Sequence, residues 1–246
     1  MKNLSWLKHD LIAHRGLYSQ DQQIPENTIA AFQNALNHGY TIELDVNLLK
    51  DGTVVSYHDP TLKRLFNKAT PLSDLTFEDL KKYRFSNGEG IPSLEAVLQF
   101  VDGKVPLLIE LKPFGDVKTL CHQVMKVLQN YTGSYALFSF HPRVVYCLKK
   151  YYPHVIRGQI AETYKTNKRL NFITKWLLRT MVFNLFTKPD FISYWIHDLP
   201  LKRLDRLKTK GMTIISYAAQ NQAEFSMVKK HYHNVVFEFF HPKIKN

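Results

Sequence analysis

The feature that most limits the fold is an alternation of short β-type runs with helix-type segments along almost all of the 246 residues. Strand-type runs fall at 11–13, 41–46, 54–57, 105–111, 135–140, 155–160, 191–194, 213–217 and 235–239. Helical patterns lie between them at 28–37, 76–83, 93–101, 116–129, 142–150, 201–208 and 222–230. Parallel strands need crossovers of about a dozen residues or more, usually helical. Most of the runs are apolar without a two-residue alternation, as strands covered on both faces are. Nine runs are one too many for an eight-stranded barrel. The runs 41–46 and 54–57 are joined through Lys50-Asp51-Gly52, a hairpin-type turn. The expected fold is therefore α/β: a TIM-type (β/α)8 barrel with a hairpin and helical insertion after the second strand. The insertion covers about 51–104 of a single domain 1–246, and no linker, repeat or low-complexity tract divides the chain.

Composition narrows the function classes. With 45% hydrophobic and 22% charged residues the chain is an ordinary globular protein. Its net charge of +12 favours an anionic partner. No helix-turn-helix, zinc module or aromatic–basic stacking motif accompanies that charge, so nucleic acid is not the expected partner. Cys121 and Cys147 sit in helix-type segments with neither metal nor disulfide spacing, which suits a reducing compartment. The first ten residues hold no apolar leader stretch, and no run approaches the ~18 apolar residues of a membrane span. A cytoplasmic protein is the expectation.

The chemistry-bearing residues lie at strand ends, where parallel α/β barrels gather their reactive groups. The first run ends in His14-Arg15-Gly16. Glu43 and Asp45 lie two apart on the second run and so share a face. Glu110 and Lys112 repeat that spacing on the run at 105–111, and 54–57 is followed by His58-Asp59. Three carboxylates at one mouth would repel one another and raise their own pKa values. A hard divalent cation with oxygen ligands, Mg²⁺ or Ca²⁺, resolves that conflict, and salt bridges to Arg15 and Lys112 are the alternative. Zinc is disfavoured, because no His or Cys pairs occur at zinc spacing. His14 and His58 suit general acid–base work, with Arg15 and Lys112 neutralising phosphoryl oxygens. Of the eleven histidines, His9, His38, His122, His154, His197, His231, His233 and His241 are read as structural, and His141 as a rim residue. Pro25-Glu26-Asn27-Thr28 opens the helix 28–37 with a capping signal, and Glu26 is a second-tier site candidate that could orient Arg15.

With these residues in hand, the chain resembles the glycerophosphodiester phosphodiesterase family. The resemblance rests on His14-Arg15-Gly16, Pro25-Glu26-Asn27-Thr28, Glu43-x-Asp45, Asp51-Gly52 and His58-Asp59-x-x-Leu62-x-Arg64, then on Glu110-x-Lys112 and Ser139-Phe140. It implies a TIM-type barrel, a bound divalent cation, and hydrolysis of glycerophosphodiesters to glycerol 3-phosphate and an alcohol. It implies that His14 and His58 are the acid–base pair and that Glu43, Asp45 and Glu110 hold the metal. It also implies attack by the substrate's own glycerol hydroxyl through a cyclic phosphate. The C-terminal half departs from the family pattern. Where members carry Trp-Thr-x-Asn, this chain reads Ser216-Tyr217-Ala218-Ala219-Gln220, so Tyr217 is the candidate replacement for an aromatic pocket wall. The usual Thr-Asp near the end is replaced by Glu238-Phe239-Phe240-His241-Pro242.

The stretch 165–188 mixes basic and greasy residues. On a helix Lys168, Lys175 and Arg179 fall within about 40° of one another, against an apolar arc of Ile173, Trp176, Leu177, Met181 and Leu185. Three readings are open: an ordinary barrel helix with a basic outer face, a lid, or a contact with anionic membrane. The last would suit a lysophospholipase D, which cleaves the same bond in substrates that keep an acyl chain.

Overall fold

The computed structural model describes residues 2–165 and 170–244. After a short helix α1 (Ser5–His9), the chain folds as two compact units, one made of Ile12–Leu137 and the other of Met1–Leu11 with Phe138–Asn246. The strand and helix order is that of the TIM-type (β/α)8 barrel class.

In the unit Ile12–Leu137, β1 (Ile12–Ala13) is followed by α2 (Ile29–Asn37), β2 (Thr41–Leu48) and β3 (Val54–Ser56). Then come α3 (Lys63–Phe66), α4 (Phe77–Leu80), α5 (Leu94–Val101), β4 (Leu107–Leu111) and α6 (Val117–Val127). β1 and β4 both pair with β2 in parallel, whereas β3 pairs with it antiparallel through Val46↔Ser56, Asn47↔Val55 and Leu48↔Val54. The expected hairpin excursion is therefore present. Seven of the eight β2 residues are buried, with Ile42, Leu44 and Val46 on one face and Glu43, Asp45 and Asn47 on the other. α2 starts where the capping signal places it, since Thr28 Oγ1 accepts from Ala31 N at 3.3 Å.

The insertion has an apolar core of its own, built from Leu49, Val55, Tyr57, Leu62, Leu72, Leu75, Leu80, Phe85 and Ile91. That core explains why the helix expected at 76–83 is short. A capping box between Thr76 and Asp79 starts α4, but the chain leaves it after Leu80. Tyr83 and Phe85 then turn back onto Phe66, with ring centroids 5.6 and 5.0 Å apart. Tertiary packing overrides the helical pattern there. The same packing creates α3, which the sequence pattern does not announce.

β5 (Tyr135–Ser139) leads the chain onward to α7 (Pro142–Tyr151), β6 (Arg157–Ala161), α8 (Phe172–Thr180) and α9 (Asn184–Thr187). β7 (Phe191–Trp195), α10 (Lys202–Thr209), β8 (Thr213–Ala219), α11 (Gln222–His231) and β9 (Asn234–Phe237) complete it. Within this unit β6–β7, β7–β8 and β8–β9 are parallel pairs. Gly158 on β6 is demanded by close packing, because a Cβ there would sit 2.2 Å from the Phe191 ring.

Over its described residues the basic, greasy stretch forms two helices and not one. Met181, at φ +54°, ends α8 in the left-handed region and is buried, while Leu185 lies exposed on α9. The continuous arc expected for Ile173, Met181 and Leu185 therefore does not form, and Lys168 lies outside the described residues. Among the described residues, no helix is long and apolar enough to cross a membrane.

Candidate active site

All but one of the predicted site residues fall in the unit Ile12–Leu137. The turn after β1 is held against β2 from both sides of the backbone. Arg15 N donates to Glu43 Oε2 at 2.8 Å, and Gly16 N donates to Glu43 O at 2.9 Å. Arg15 has φ +51° and Gly16 φ +75°. A Cβ on Gly16 would lie 2.8 Å from the Ala31 carbonyl carbon, so this glycine lets the turn lie directly on α2. His14 is thereby fixed, with Nε2 3.9 Å from Glu43 Oε2.

The β2–β4 register pairs Asp45 with Glu110. Registered partners in a parallel pair project to the same face, so the two carboxylates become neighbours, and Glu43 joins them from the same strand face. One ligating oxygen from each of the three lies within 4.8 Å of the others, and all three side chains are buried. Lys112 Nζ lies 2.9 Å from Asp45 Oδ1 and 2.8 Å from Glu110 Oε1, and Arg15 Nε is 3.4 Å from Asp45 Oδ2. Carboxylate clustering and salt bridging therefore coexist. Burial is the largest influence on each carboxyl, and their neighbours separate them. Asp45 is held well below its ordinary value, because Lys112, His58, Arg15 and His14 outweigh its burial. Glu43 is raised well above its own by burial and by the Asp45 and Glu110 charges. Burial and Asp45 push Glu110 up to about 7 in spite of Lys112. Lys112 stays protonated, since Asp45 and Glu110 overcome its burial.

The donor set fits a hard divalent cation. It is three buried carboxylates with no nitrogen or sulfur ligand, and buried Glu110 Oε1 makes no hydrogen bond of good geometry even beside Lys112. Glu43, Asp45 and Glu110 are the residues that could hold Mg²⁺ or Ca²⁺.

His58 sits on the segment leaving β3, anchored where Asn47 Nδ2 donates to Tyr57 O at 2.6 Å and Tyr57 N donates to Asp45 O at 3.1 Å. Its Nδ1 lies 2.6 Å from Asp59 Oδ1. Asp59 is buried enough to be pushed up, yet its hydrogen bonds to His58 and Arg64 bring it down to about 2. An ionised carboxylate can only accept, so His58 Nδ1 carries the hydrogen and Nε2 is the proton-exchanging atom. Burial lowers the His58 pKa, with Lys112 adding to the effect. Arg64 Nε donates to Asp59 Oδ2 at 2.6 Å, and its Nη1 and Nη2 donate to Glu26 Oε2 and Oε1 at 2.8 and 2.6 Å. Glu26 Oε1 in turn accepts from Arg15 Nη1 at 2.8 Å. A chain of charge-assisted bonds therefore runs His58–Asp59–Arg64–Glu26–Arg15.

The structure brings His14, Arg15, Glu26, Glu43, Asp45, His58, Glu110 and Lys112 together in one unit. Tyr217 belongs to the other unit, where its Oη donates to Ala161 O at 3.4 Å and its ring meets Phe140 edge-on at 5.7 Å. His141, expected at a rim, caps α7 by accepting from Arg143 N at 3.1 Å. Three polar residues were missed by sequence reasoning. Asn27 braces Asp45, Arg64 braces Asp59 and Glu26, and Asn47 braces the His58 segment. Asn27 and Arg64 lie in the quoted motifs, but their spacing alone assigns them no partner.

A model of the Glycerophosphoryl diester phosphodiesterase family matches residues 14–237. The chain belongs to that family. A Bacillus subtilis (strain 168) protein is 37% identical over 155 residues, which cover 59% of this chain and 63% of the relative. A glycerophosphodiester phosphodiesterase of Caldanaerobacter subterraneus is 36% identical over 169 residues, 63% of this chain and 68% of its own. Among solved structures, an Oleispira antarctica phosphodiesterase in complex with the product sn-glycerol-3-phosphate superposes with a TM-score of 0.79. It is 20% identical, and the match covers 94% of this chain and 93% of that one. At that identity the likeness speaks for the fold, and the fold is that of the glycerophosphoryl diester phosphodiesterases.

Proposed function

We propose that the chain is a metal-dependent phosphoric diester hydrolase that converts glycerophosphodiesters to glycerol 3-phosphate and an alcohol. The observation that carries this reading is the convergence of Glu43, Asp45 and Glu110 beside Lys112, Arg15 and two imidazoles. Family membership supports the class of bond, and the product named for the Oleispira enzyme supports the half of the substrate that is kept. A bound Mg²⁺ or Ca²⁺ would supply charge neutralisation at the phosphoryl oxygens.

The protein's own residues do the rest. Arg15 and the buried, protonated Lys112 draw the phosphodiester to the carboxylate cluster. His58, with its pKa lowered and its tautomer set by Asp59, exchanges a proton through Nε2, and His14 is the second proton-transfer group. Glu26 keeps Arg15 in place. A cytoplasmic setting, where the buried Cys121 and Cys147 stay reduced, belongs to the same reading. The lysophospholipase D alternative draws no support from the Caldanaerobacter relative, whose name specifies glycerophosphodiesters.

The test compares glycerophosphocholine with lysophosphatidylcholine in the presence of Mg²⁺, Ca²⁺ or EDTA. Turnover of the first is expected, abolished by EDTA and reduced about 10²–10⁴-fold by His14→Ala or His58→Ala. Activity that survives EDTA or the double substitution would overturn the mechanism.

A further inference from the structure

α8 is a nine-residue helix with no buried residue. Its outward face is apolar: Phe172, Ile173 and Trp176 are 80, 68 and 47% exposed. At 100° per residue these three share an arc of about 100°, with Arg179 on its edge. An outer helix of a water-soluble domain turns the opposite way, polar side outward. On α9, Leu185 and Phe186 are 71 and 63% exposed, extending the apolar surface past the break at Met181.

The charge within these two helices has one sign. The described residues of 165–188 include Lys165, Lys175, Arg179 and Lys188 and neither Asp nor Glu. Two further cations are tied to it by hydrogen bonds: Lys149 Nζ donates to Phe186 O at 2.6 Å, and Arg203 Nη1 donates to Arg179 O at 2.9 Å. Three acids lie near it, Asp190, Asp198 and Glu162, and the last two act on Tyr194 together with Arg179 and Arg203. Asp190 binds Lys2 Nζ at 2.8 Å, and Asp198 accepts from Thr163 N at 2.7 Å.

We propose that α8 and α9 dock the protein on an anionic phospholipid surface. Trp, Phe, Leu and Ile enter the headgroup region, and Lys175, Arg179 and Lys188 meet the lipid phosphates. A second copy of the chain would cover the apolar groups equally well, but it would set one cationic patch against another. The inference rests on this surface and is independent of the proposed activity.

The test uses the full chain and co-sedimentation with vesicles of phosphatidylglycerol and phosphatidylcholine, or of phosphatidylcholine alone. Binding to the anionic vesicles is expected to exceed binding to the neutral ones about tenfold at low salt and to fall as salt screens it. Phe172→Ser with Trp176→Ser should remove most of that excess while leaving the melting temperature and glycerophosphocholine hydrolysis unchanged. Equal binding to both vesicles, or binding that survives the double substitution, overturns the proposal. So does self-association that the same substitutions abolish without any vesicle binding.

Discussion

Asn27 and Asp45 hold each other by two hydrogen bonds: Asn27 Nδ2 donates to Asp45 Oδ2 at 2.9 Å, and Asp45 N donates to Asn27 Oδ1 at 3.0 Å. Ser56 Oγ adds a third contact, to Asn27 Oδ1 at 3.2 Å. One amide thus aims a carboxylate of the cluster and ties the start of α2 to β2 and β3.

Asn27 also sits at φ +57°, a region that asparagine and glycine tolerate. Asn27→Gly keeps the backbone and deletes the brace. It is expected to cost roughly 10–100-fold in cation affinity and activity, as loss of an outer-shell partner does. Titrating Mg²⁺ against activity, with melting curves alongside, checks this. An unchanged cation requirement would show that Asp45 needs no aiming.

Arg64 touches both Asp59 and Glu26, and so reaches His58 and Arg15 each through one intermediary. Arg64→Lys retains a charge but loses the planar fork. The expected result is about a tenfold fall in kcat with KM little changed, because a proton-transfer group is mispositioned while substrate charge is still met. Steady-state kinetics on glycerophosphocholine separate the two constants. A rise in KM alone would assign Arg64 to substrate binding.

If Glu43, Asp45 and Glu110 hold a divalent cation, the cation must stabilise the fold. At a concentration 100 times its dissociation constant, a ligand adds about 2.7 kcal/mol. For a domain of this size that is roughly 5–10 °C in melting temperature. Adding Mg²⁺ or Ca²⁺ to EDTA-treated protein should give such a rise, and Asp45→Asn should lose it. No rise with either ion would leave the three carboxylates as a salt-bridge cluster with Lys112.

Acid stability should depend on Asp59. Its native value of about 2 lies below the ordinary 3.8, so the deprotonated form favours the folded state. That contribution is fully present above about pH 4 and is lost as the pH falls towards 2. Glu26, lowered in the same direction by Arg64 and Arg15 in spite of its burial, adds to it. Asp59→Asn should therefore be less stable than the parent at pH 6 and show a flatter decline between about pH 4 and 2. Parallel declines in urea melts over that range would refute the assignment.

The strand runs were readable because a strand covered on both faces is apolar for most of its length, as β4 is at every position but Glu110, with all five residues buried. Lys50-Asp51-Gly52 marked the hairpin because Gly52 takes φ +85° in the turn. Helix ends were less legible. α4 stops at Leu80 for a reason held by Phe66, which lies outside the segment itself. The break of 165–188 at the buried Met181 is likewise not written in its periodicity.

Residue type and strand position alone mark out His14, Arg15, Glu43, Asp45, His58, Glu110 and Lys112, because charged groups ending apolar strands have few purposes other than chemistry. Their relation to one another needed the folded chain. The β2–β4 register puts Asp45 beside Glu110, and Lys112 then lies between their oxygens. Asn27, 18 positions from Asp45, and Arg64, 38 from Glu26, acquire partners only in three dimensions. Local pattern governs which face a side chain takes. Hydrogen bonds and ion pairs depend on distances of a few ångströms, which are set when distant segments pack.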